Sequence, residues 1–464
     1  MKTVSTVVSV LVILFVLPLQ AQDYIIIGWN DLGMHCSNQD FSKLVVLPPF
    51  NNIHAQAIRV GNALTLPAVV TDGMRVTYEI PGNTYSVGKT NFWSYEDLIF
   101  GVNLPDNIGL TGSALTGQMT VDGNAFVVTG VPIAPYTDAD LVHEDAFQLG
   151  LLKLYDASDN LLGTAPPVVP VSNEINCVSS DCHVSETAIL NQHDAAGGFD
   201  PANTPILCAS CHSSNALGTP GQPGLPSLSE AVHKKHGEFM NDCYKCHPGV
   251  ITQCLRDVMK TEHGFTCQTC HGSVLNVGLT IEMGREPWLE EPQCGATSCH
   301  GATYAEEPGK LFRMSKGHGG LYCSACHGEP HAIVPSGNAR DNVQNIALQG
   351  HAGTLSECAV CHGVVPAGVG PHGIVIADCC SGRVGDANGA GGDEPTIADI
   401  SVMIDAKFIT GACDGVIVCA AEADMNQSGG THPTCDDITI GDISMLIDYL
   451  FITGPGSMTI PNCL

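Results

Sequence analysis

The stretch "YCSACHGEPH", Tyr322 to His331, sets two cysteines three positions apart, a histidine directly after the second, and a further histidine four positions on. Five copies of C-x-x-C-H occur: Cys208-Cys211-His212, Cys243-Cys246-His247, Cys267-Cys270-His271, Cys323-Cys326-His327 and Cys358-Cys361-His362. Two more have a four-residue gap, Cys177-Cys182-His183 and Cys294-Cys299-His300. C-x-x-C-H is the spacing of covalent c-type haem attachment. Each thiol adds across one vinyl group of the porphyrin, and the adjacent histidine reaches the iron as its proximal ligand. A zinc site needs two C-x-x-C pairs brought together and gives no reason for a histidine after every second cysteine. A thioredoxin-like redox site needs one copy in a βαβ setting. The motifs therefore predict seven covalent haems; a disulfide or a structural pair is the competing use of the two wider ones.

A proximal histidine leaves the opposite face of the iron for a second ligand. Outside the motifs stand His193, His233, His236, His263, His318, His331, His351 and His372, eight candidates for seven distal positions. His236, His263, His318 and His351 shortly precede a motif, and His331 follows one. Their number and placement predict bis-histidine iron. Met240, Met259, Met283 and Met314 could also ligate, but nothing in their spacing separates them from packing methionines. His432 reads as incidental.

These residues must be carried by a chain of 464 residues, room for several domains. Residues 1–21 read as a signal peptide: Lys2, then an apolar run from Val7 to Leu17 that is shorter than the roughly 20 residues a membrane span needs. The expectation is an exported protein, periplasmic, cell-surface or extracellular, whose mature chain has no membrane span. Asp plus Glu total 47 against 18 Lys plus Arg, a formal charge of −29. Nucleic acid is excluded as a partner, since phosphate binding needs a basic face. Twenty-two cysteines in an exported chain imply disulfides, metal ligands or cofactor attachments.

The fold expected is multidomain. Residues 22–172 hold one cysteine, Cys36, and read as a β-sandwich-like domain: "YIIIGW", "AQAIRV" and "MRVTYEI" are short β-branched or aromatic runs. Asp122-Gly123-Asn124 is a hairpin signal, and "LLKLYDASDNLLGTA" repeats the pattern. Residues 173–375 have weak periodicity and many Gly and Pro, so this segment should have little regular secondary structure and pack around its haems. In residues 376–464, "TIADISVMIDAKFITG" and "TIGDISMLIDYLFITG" form an internal repeat with apolar residues at helical spacing, Ile400, Met403, Ile404 and Phe408 in the first and Ile443, Leu446, Ile447, Leu450 and Phe451 in the second.

At its motifs the chain resembles the multihaem c-type cytochromes of bacterial respiration and extracellular electron transfer, over roughly residues 177–372. "GWNDLGMHC" (Gly28–Cys36) with "LPPFNNIHAQ" (Leu47–Gln56) is similar to a domain that precedes haem arrays in related cytochromes. Some members polymerise into filaments with histidine ligands crossing between subunits, which implies a ligand role in trans for His35 or His54, with His143 the third histidine of this domain. The C-terminal repeat resembles type I dockerin modules of paired calcium loops and helices. That resemblance implies Asp386, Asn388 and Asp399 in one Ca²⁺ loop and Asp424, Asn426, Ser428 and Asp442 in the other, with a docking partner for the module. Both loops depart from the pattern. The first has Ala390 at a ligand position and two extra residues; the second has seven extra; Asp393 or Asp437 could compensate. Without calcium, the module would be a helical hairpin held by disulfides among Cys379, Cys380, Cys413, Cys419, Cys435 and Cys463. Cys36 and Cys254 remain, to pair with each other or to lie near a haem.

The function expected is electron transfer along seven haems to redox partner proteins or extracellular acceptors, without bond chemistry. The alternative is a multihaem reductase, which needs an iron with an open position; every motif here ends in His, and distal candidates are plentiful. A scaffold acting through its C-terminal module would explain the repeat but not the seven motifs.

Overall fold

The structure is a computed structural model that describes residues 23–62, 64–175, 177–178, 182–249, 251–363, 368–373, 375–376, 383–389, 394–411, 413, 416–430, 433–455 and 458–461. The signal-peptide segment and Cys379, Cys380, Ala390, Asp393, His432 and Cys463 lie outside these residues. The chain divides into two compact units, residues 1–364 and 365–464. Sheets and short helices coexist, and no described helix is long and apolar enough to cross a membrane.

The first unit opens with β1 (Tyr24–Trp29), β2 (His35–Cys36), β3 (Leu44–Val45), β4 (Ile53–Arg59), β5 (Ala68–Val70) and β6 (Arg75–Glu79). They are followed by β7 (Thr116–Gln118), β8 (Thr120–Asp122), β9 (Ala125–Val128), β10 (Phe147–Leu149), β11 (Leu151–Tyr155), β12 (Leu161–Ala165) and β13 (Val168–Ser172). One sheet runs β1-β4-β9-β8, with β5 on β4; a second runs β12-β11-β6-β7; a third runs β10-β13-β2. The hairpins sit where the turn residues placed them: Asp122 pairs with Ala125 across Gly123-Asn124, and β11 pairs with β12. Ile26, Ile53, Ala55 and Ala57 from the first sheet share one core with Val76, Tyr78, Leu152 and Leu154 from the second.

Strand periodicity puts alternate residues on opposite faces. Ile25, Ile27 and Trp29 of β1 and Ile58 of β4 therefore turn away from that core. They pack with Tyr322, Ala325, Val360 and Cys361, so the run "YIIIGW" is apolar because both faces are covered. Polar residues on the same face clamp the later segment. Gln56 Oε1 accepts the Tyr322 N–H (2.9 Å), and Gln56 Nε2 donates to Gly320 O (3.1 Å). Gln344 spans Gly28, accepting its N–H (2.8 Å) and donating to its carbonyl (2.9 Å). Gly33, at φ 72°, could carry no side chain, because a Cβ there would lie 1.8 Å from Pro330 O.

The cysteine-rich segment has short helices: α1 (Glu186–Ala195), α2 (Leu228–Gly237), α3 (Val274–Glu282) and α4 (Val343–Gln349). Ser185, Ser227 and Ser273 cap the first three through side chains that accept N–H bonds. α2 packs on α3 at Gly278, where a Cβ would lie 2.6 Å from Lys234 N. Between residues 177 and 363, the buried apolar side chains among those described are Leu190, Ala209, Val274, Ile281, Ala325, Ala332 and Val334. Phe239, Ile251, Met283, Leu289 and Met314 are exposed. So thin a core does not close this segment by itself.

In the second unit, α5 (Ile397–Ile404) and α6 (Ile440–Ile447) each begin with a Thr–Asp capping box, Thr396/Asp399 and Thr439/Asp442, and each runs on into a π-helical turn. Ile400, Met403, Ile443 and Leu446 are core residues with Tyr449. Ile404, Phe408 and Phe451, expected on the apolar faces, are exposed; the two phenylalanines lie in the π turns, outside the 3.6-residue period.

Candidate functional site

Five of the motifs bend their chain in a single tight turn. Cys208, Cys243 and Cys358 start 3₁₀ turns, and Cys267 and Cys323 start single α-turns that end on the motif histidine. In all five, three residues nearly complete a turn, so the thiols lie on one side.

Five motif histidines face a second imidazole. His183 faces His236 with ring centroids 6.1 Å apart, His212 faces His193 at 6.3 Å, His247 faces His233 at 6.0 Å, His271 faces His331 at 6.2 Å and His362 faces His318 at 6.1 Å. These rings are too far apart to bond each other. A metal ion between two imidazoles, with metal–nitrogen bonds of about 2 Å and each centroid roughly 1.1 Å behind its nitrogen, holds the centroids about 6 Å apart. The spacing thus fits an iron with two axial histidines. Among the described residues, no group of three or more His, Cys, Asp or Glu is placed to hold a metal by itself. Of the remaining candidates, His263 lies beside Phe265, His351 is exposed with Nε2 3.4 Å from Glu357, and His372 is exposed at φ 57°. His300 lies 6.2 Å from the Tyr304 ring, and His327 Nδ1 is 3.4 Å from Thr354 Oγ1. Met283 and Met314 are exposed, and all five of these pairs are histidine pairs.

Second nitrogens are pinned in a way that leaves the first for a metal. His233 Nδ1 donates to Ser229 O (2.7 Å), His236 Nδ1 to Val232 O (2.8 Å) and His212 Nδ1 to Pro226 O (2.9 Å). A ligating histidine characteristically gives its other N–H to such a carbonyl, which fixes ring and tautomer. Burial lowers the His247 and His271 pKa values to about 4, with neighbouring imidazoles adding to the effect, so both are neutral at pH 7. Neutral imidazole is the ligating form.

The motif cysteines form a continuous succession. Burial pushes the Cys208 thiol up to about 12, with Cys177 beside it adding to the shift. Cys246 rises to about 11 through burial and then Cys177 and Cys182. Cys243 is pushed up by its hydrogen bond with Cys267 and then by burial. Burial and then Cys299 raise Cys270; burial, Glu306 and Cys323 raise Cys294 to about 12; burial and then Cys361 raise Cys326 to about 12. The neighbours therefore run in the order Cys208, Cys177, Cys243, Cys267, Cys294, Cys323, Cys358, with the first two motifs exchanged relative to the sequence. Spacing along the chain carries no signal of this exchange. Its cause is α2, whose His233 and His236 face the Cys243 and Cys177 motifs respectively.

Within the described fold, His35 and His54 make these contacts. His35 is buried, and its Nε2 donates to Asp31 Oδ1 (2.9 Å). Burial alone would raise the Asp31 pKa, but His35 and Asn52 hold its carboxyl far below the usual range. His54 stacks on Trp29 at 5.8 Å. "WNDLG" and "FNN" form a structural knot, with Asn30 Nδ2 bonded to Asn51 Oδ1 (2.6 Å) and Asn52 Nδ2 to Asp31 Oδ2 (2.8 Å). His143 is exposed and bonds Asp140.

In the second unit the two loops match. Asp399 Oδ1 accepts the Asn388 N–H and Asp442 Oδ1 the Asn426 N–H, both at 3.0 Å. Asp424 accepts Ser428 N–H (3.1 Å) and Gly429 N–H (2.8 Å), and Asn426 Oδ1 also accepts the Ser428 N–H (2.9 Å). Asp386, Asp399, Asp424 and Asp442 are all buried. Asn388 Oδ1 and Nδ2 are buried without a hydrogen-bond partner. Asp437 is turned to Thr434. Cys413 and Cys435 form a disulfide, and Cys419 is disulfide-bonded as well.

No family model matches this chain, and neither a curated protein nor a solved structure with significant similarity was found.

Proposed function

We propose that the protein is an exported electron carrier that holds seven covalent haems on its seven Cys/Cys/His motifs. The observation that supports this reading best is the set of five facing histidine pairs, each at the separation that one axially ligated iron requires. A bound haem supplies an iron that alternates between ferric and ferrous states and so accepts or releases one electron. The chain's own residues fix where that happens. Two thiols anchor each ring edge, His183, His212, His247, His271 and His362 offer proximal nitrogens, and His236, His193, His233, His331 and His318 offer the opposing ones. Apolar side chains left uncovered in the protein, Phe239 and Met314 among them, gain porphyrin surface to pack on. The succession of neighbouring motif cysteines supports a path between the Cys208 and Cys358 motifs, where redox partners would exchange electrons.

The reductase reading is weaker on the same observation, since paired histidines leave no open position on the irons they flank. Intact-mass measurement of the mature protein is the test. Seven haem increments are expected; five would mean that the Cys177 and Cys294 motifs go unused, and none would end the proposal.

For the second unit we propose calcium in the loops. Buried carboxylates need a compensating cation, and an orphaned Asn388 amide oxygen beside Asp399 is a hard ligand of the kind Ca²⁺ takes. The duplicated exposed residues Ile397/Ile440, Phe408/Phe451 and Ile409/Ile452 supply an apolar face for a docking partner.

A further inference from the structure

Cys36 and Cys254 belong to none of the motifs, and they lie outside the disulfide-bearing unit. Contacts on both sides bring them together. Cys36 is the last residue of β2 and pairs in register with Ser172 of β13. Ser172 Oγ lies 3.5 Å from Thr252 Oγ1, two residues before Cys254. Glu174 gathers the same loop, accepting N–H bonds from Gly249 (3.0 Å), Ile251 (2.7 Å) and Thr252 (3.1 Å). On the other side, Arg256 Nη1 donates to Gly33 O (2.7 Å) and to Cys254 O (3.2 Å). Both are free thiols in this structure, carried at the two ends of this one network of contacts. Cys254 Sγ also lies 3.9 Å from His331 Nδ1, the nitrogen on the imidazole that faces His271. His331 itself sits at φ 67° and Gln253 at φ 48°, left-handed conformations that the surrounding contacts must hold.

We propose that Cys36 and Cys254 form a disulfide in the exported protein, and that its state tunes the iron held by His271 and His331. The tuning rests on the haem reading; the disulfide does not. The chain already carries a disulfide at Cys413–Cys435, as expected of an oxidising compartment. The bond forms by exchange with the disulfide of a thiol oxidant. Two S–H bonds break and one S–S bond forms; the two electrons and two protons pass to the oxidant, which leaves as a dithiol. In the dithiol state Cys254 sulfur accepts the His331 Nδ1–H, which makes the ring a stronger donor to iron and stabilises the ferric state. A disulfide sulfur accepts more weakly, so closing the bond raises that iron's potential.

The test is peptide mapping of the holo-protein, denatured and alkylated before any reductant. A linked pair of peptides bearing Cys36 and Cys254 is expected, with both cysteines alkylated only after reduction. Alkylation of both in the unreduced protein would overturn the disulfide. The haem-bearing peptides in the same digest report separately on the cytochrome reading, so the two failures are distinguishable. Spectropotentiometry before and after mild thiol reduction should move one midpoint downward; seven unchanged midpoints would overturn the tuning.

Discussion

Helix α2 offers the sharpest test of the histidine pairing, because it carries two of the distal rings three residues apart. His233 faces His247 and His236 faces His183, at 6.0 and 6.1 Å. Each ring is aimed by the carbonyl four residues back, so each serves one motif and no other. His233→Ala and His236→Ala should each remove one of the two protein ligands from one of the seven irons. About one-seventh of the haem, roughly 14%, then changes from low to high spin. The helix should survive. Alanine is the better helix former by up to about 0.7 kcal/mol, and the Ser227 cap and the packing at Gly278 are untouched. Paramagnetic resonance of the oxidised holo-protein counts the high-spin iron, and circular dichroism checks the helix. The double variant should show twice the signal of either single one, and added imidazole should restore low spin in all three. A double variant no higher than a single one would mean that both rings serve the same iron. No high-spin iron in either single variant would refute the pairing altogether.

Three further outcomes follow from buried charge. Arg256 and Asp341 are paired at 2.6 and 2.9 Å with almost no exposure, so Asp341→Asn should cost about 3–5 kcal/mol and lower the thermal midpoint in a calorimetric scan. Burial and then Asp341 raise the Glu329 carboxyl to about 7, so between its ordinary value of 4.5 and about 7 the folded state binds more protons than the unfolded one. Stability should therefore fall as pH rises through that window, and denaturant titrations of Glu329→Gln should show the fall abolished. Titration calorimetry of the full chain should detect calcium, and Asn388→Ala should remove or weaken one binding event; unchanged isotherms would leave the second unit as a disulfide-braced helix pair.

Local patterns were legible in the sequence because local physics sets them. The turn at Gly123-Asn124, the alternation of β6 and the Thr–Asp starts of α5 and α6 depend on residues within a few positions of one another. So does the single turn of the five C-x-x-C-H groups. Which distal ring meets which motif was not legible, because it depends on helix packing and on strands far away in sequence. His331 follows the Cys323 motif by four residues yet faces His271. His318 precedes the same motif and faces His362. The Cys323 motif between them is packed against β1 and β4 through Tyr322 and Ala325.

The stretch "GWNDLGMHC" has a structural part in the fold that its residue types alone do not reveal. His35 in that stretch carries the expectation of a ligand in trans. Asp31 binds His35 and Asn52 within the fold, and Gly33, two residues on, presents its carbonyl to Arg256. Arg256 is neutralised by Asp341, which also accepts the Ser336 hydroxyl at 2.5 Å. A chain of polar contacts thus runs from the first sheet to the loop between the Cys243 and Cys267 motifs and on to the segment after the Cys323 motif. Asp31, His35, Arg256, Ser336 and Asp341 are buried, so loss of one leaves its partner unpaired in a low-dielectric setting. The β-rich segment therefore acts as the rigid wall against which the ligand-bearing loops are fixed. That role explains why a domain without a single Cys/Cys/His motif is built into the same compact unit as all seven.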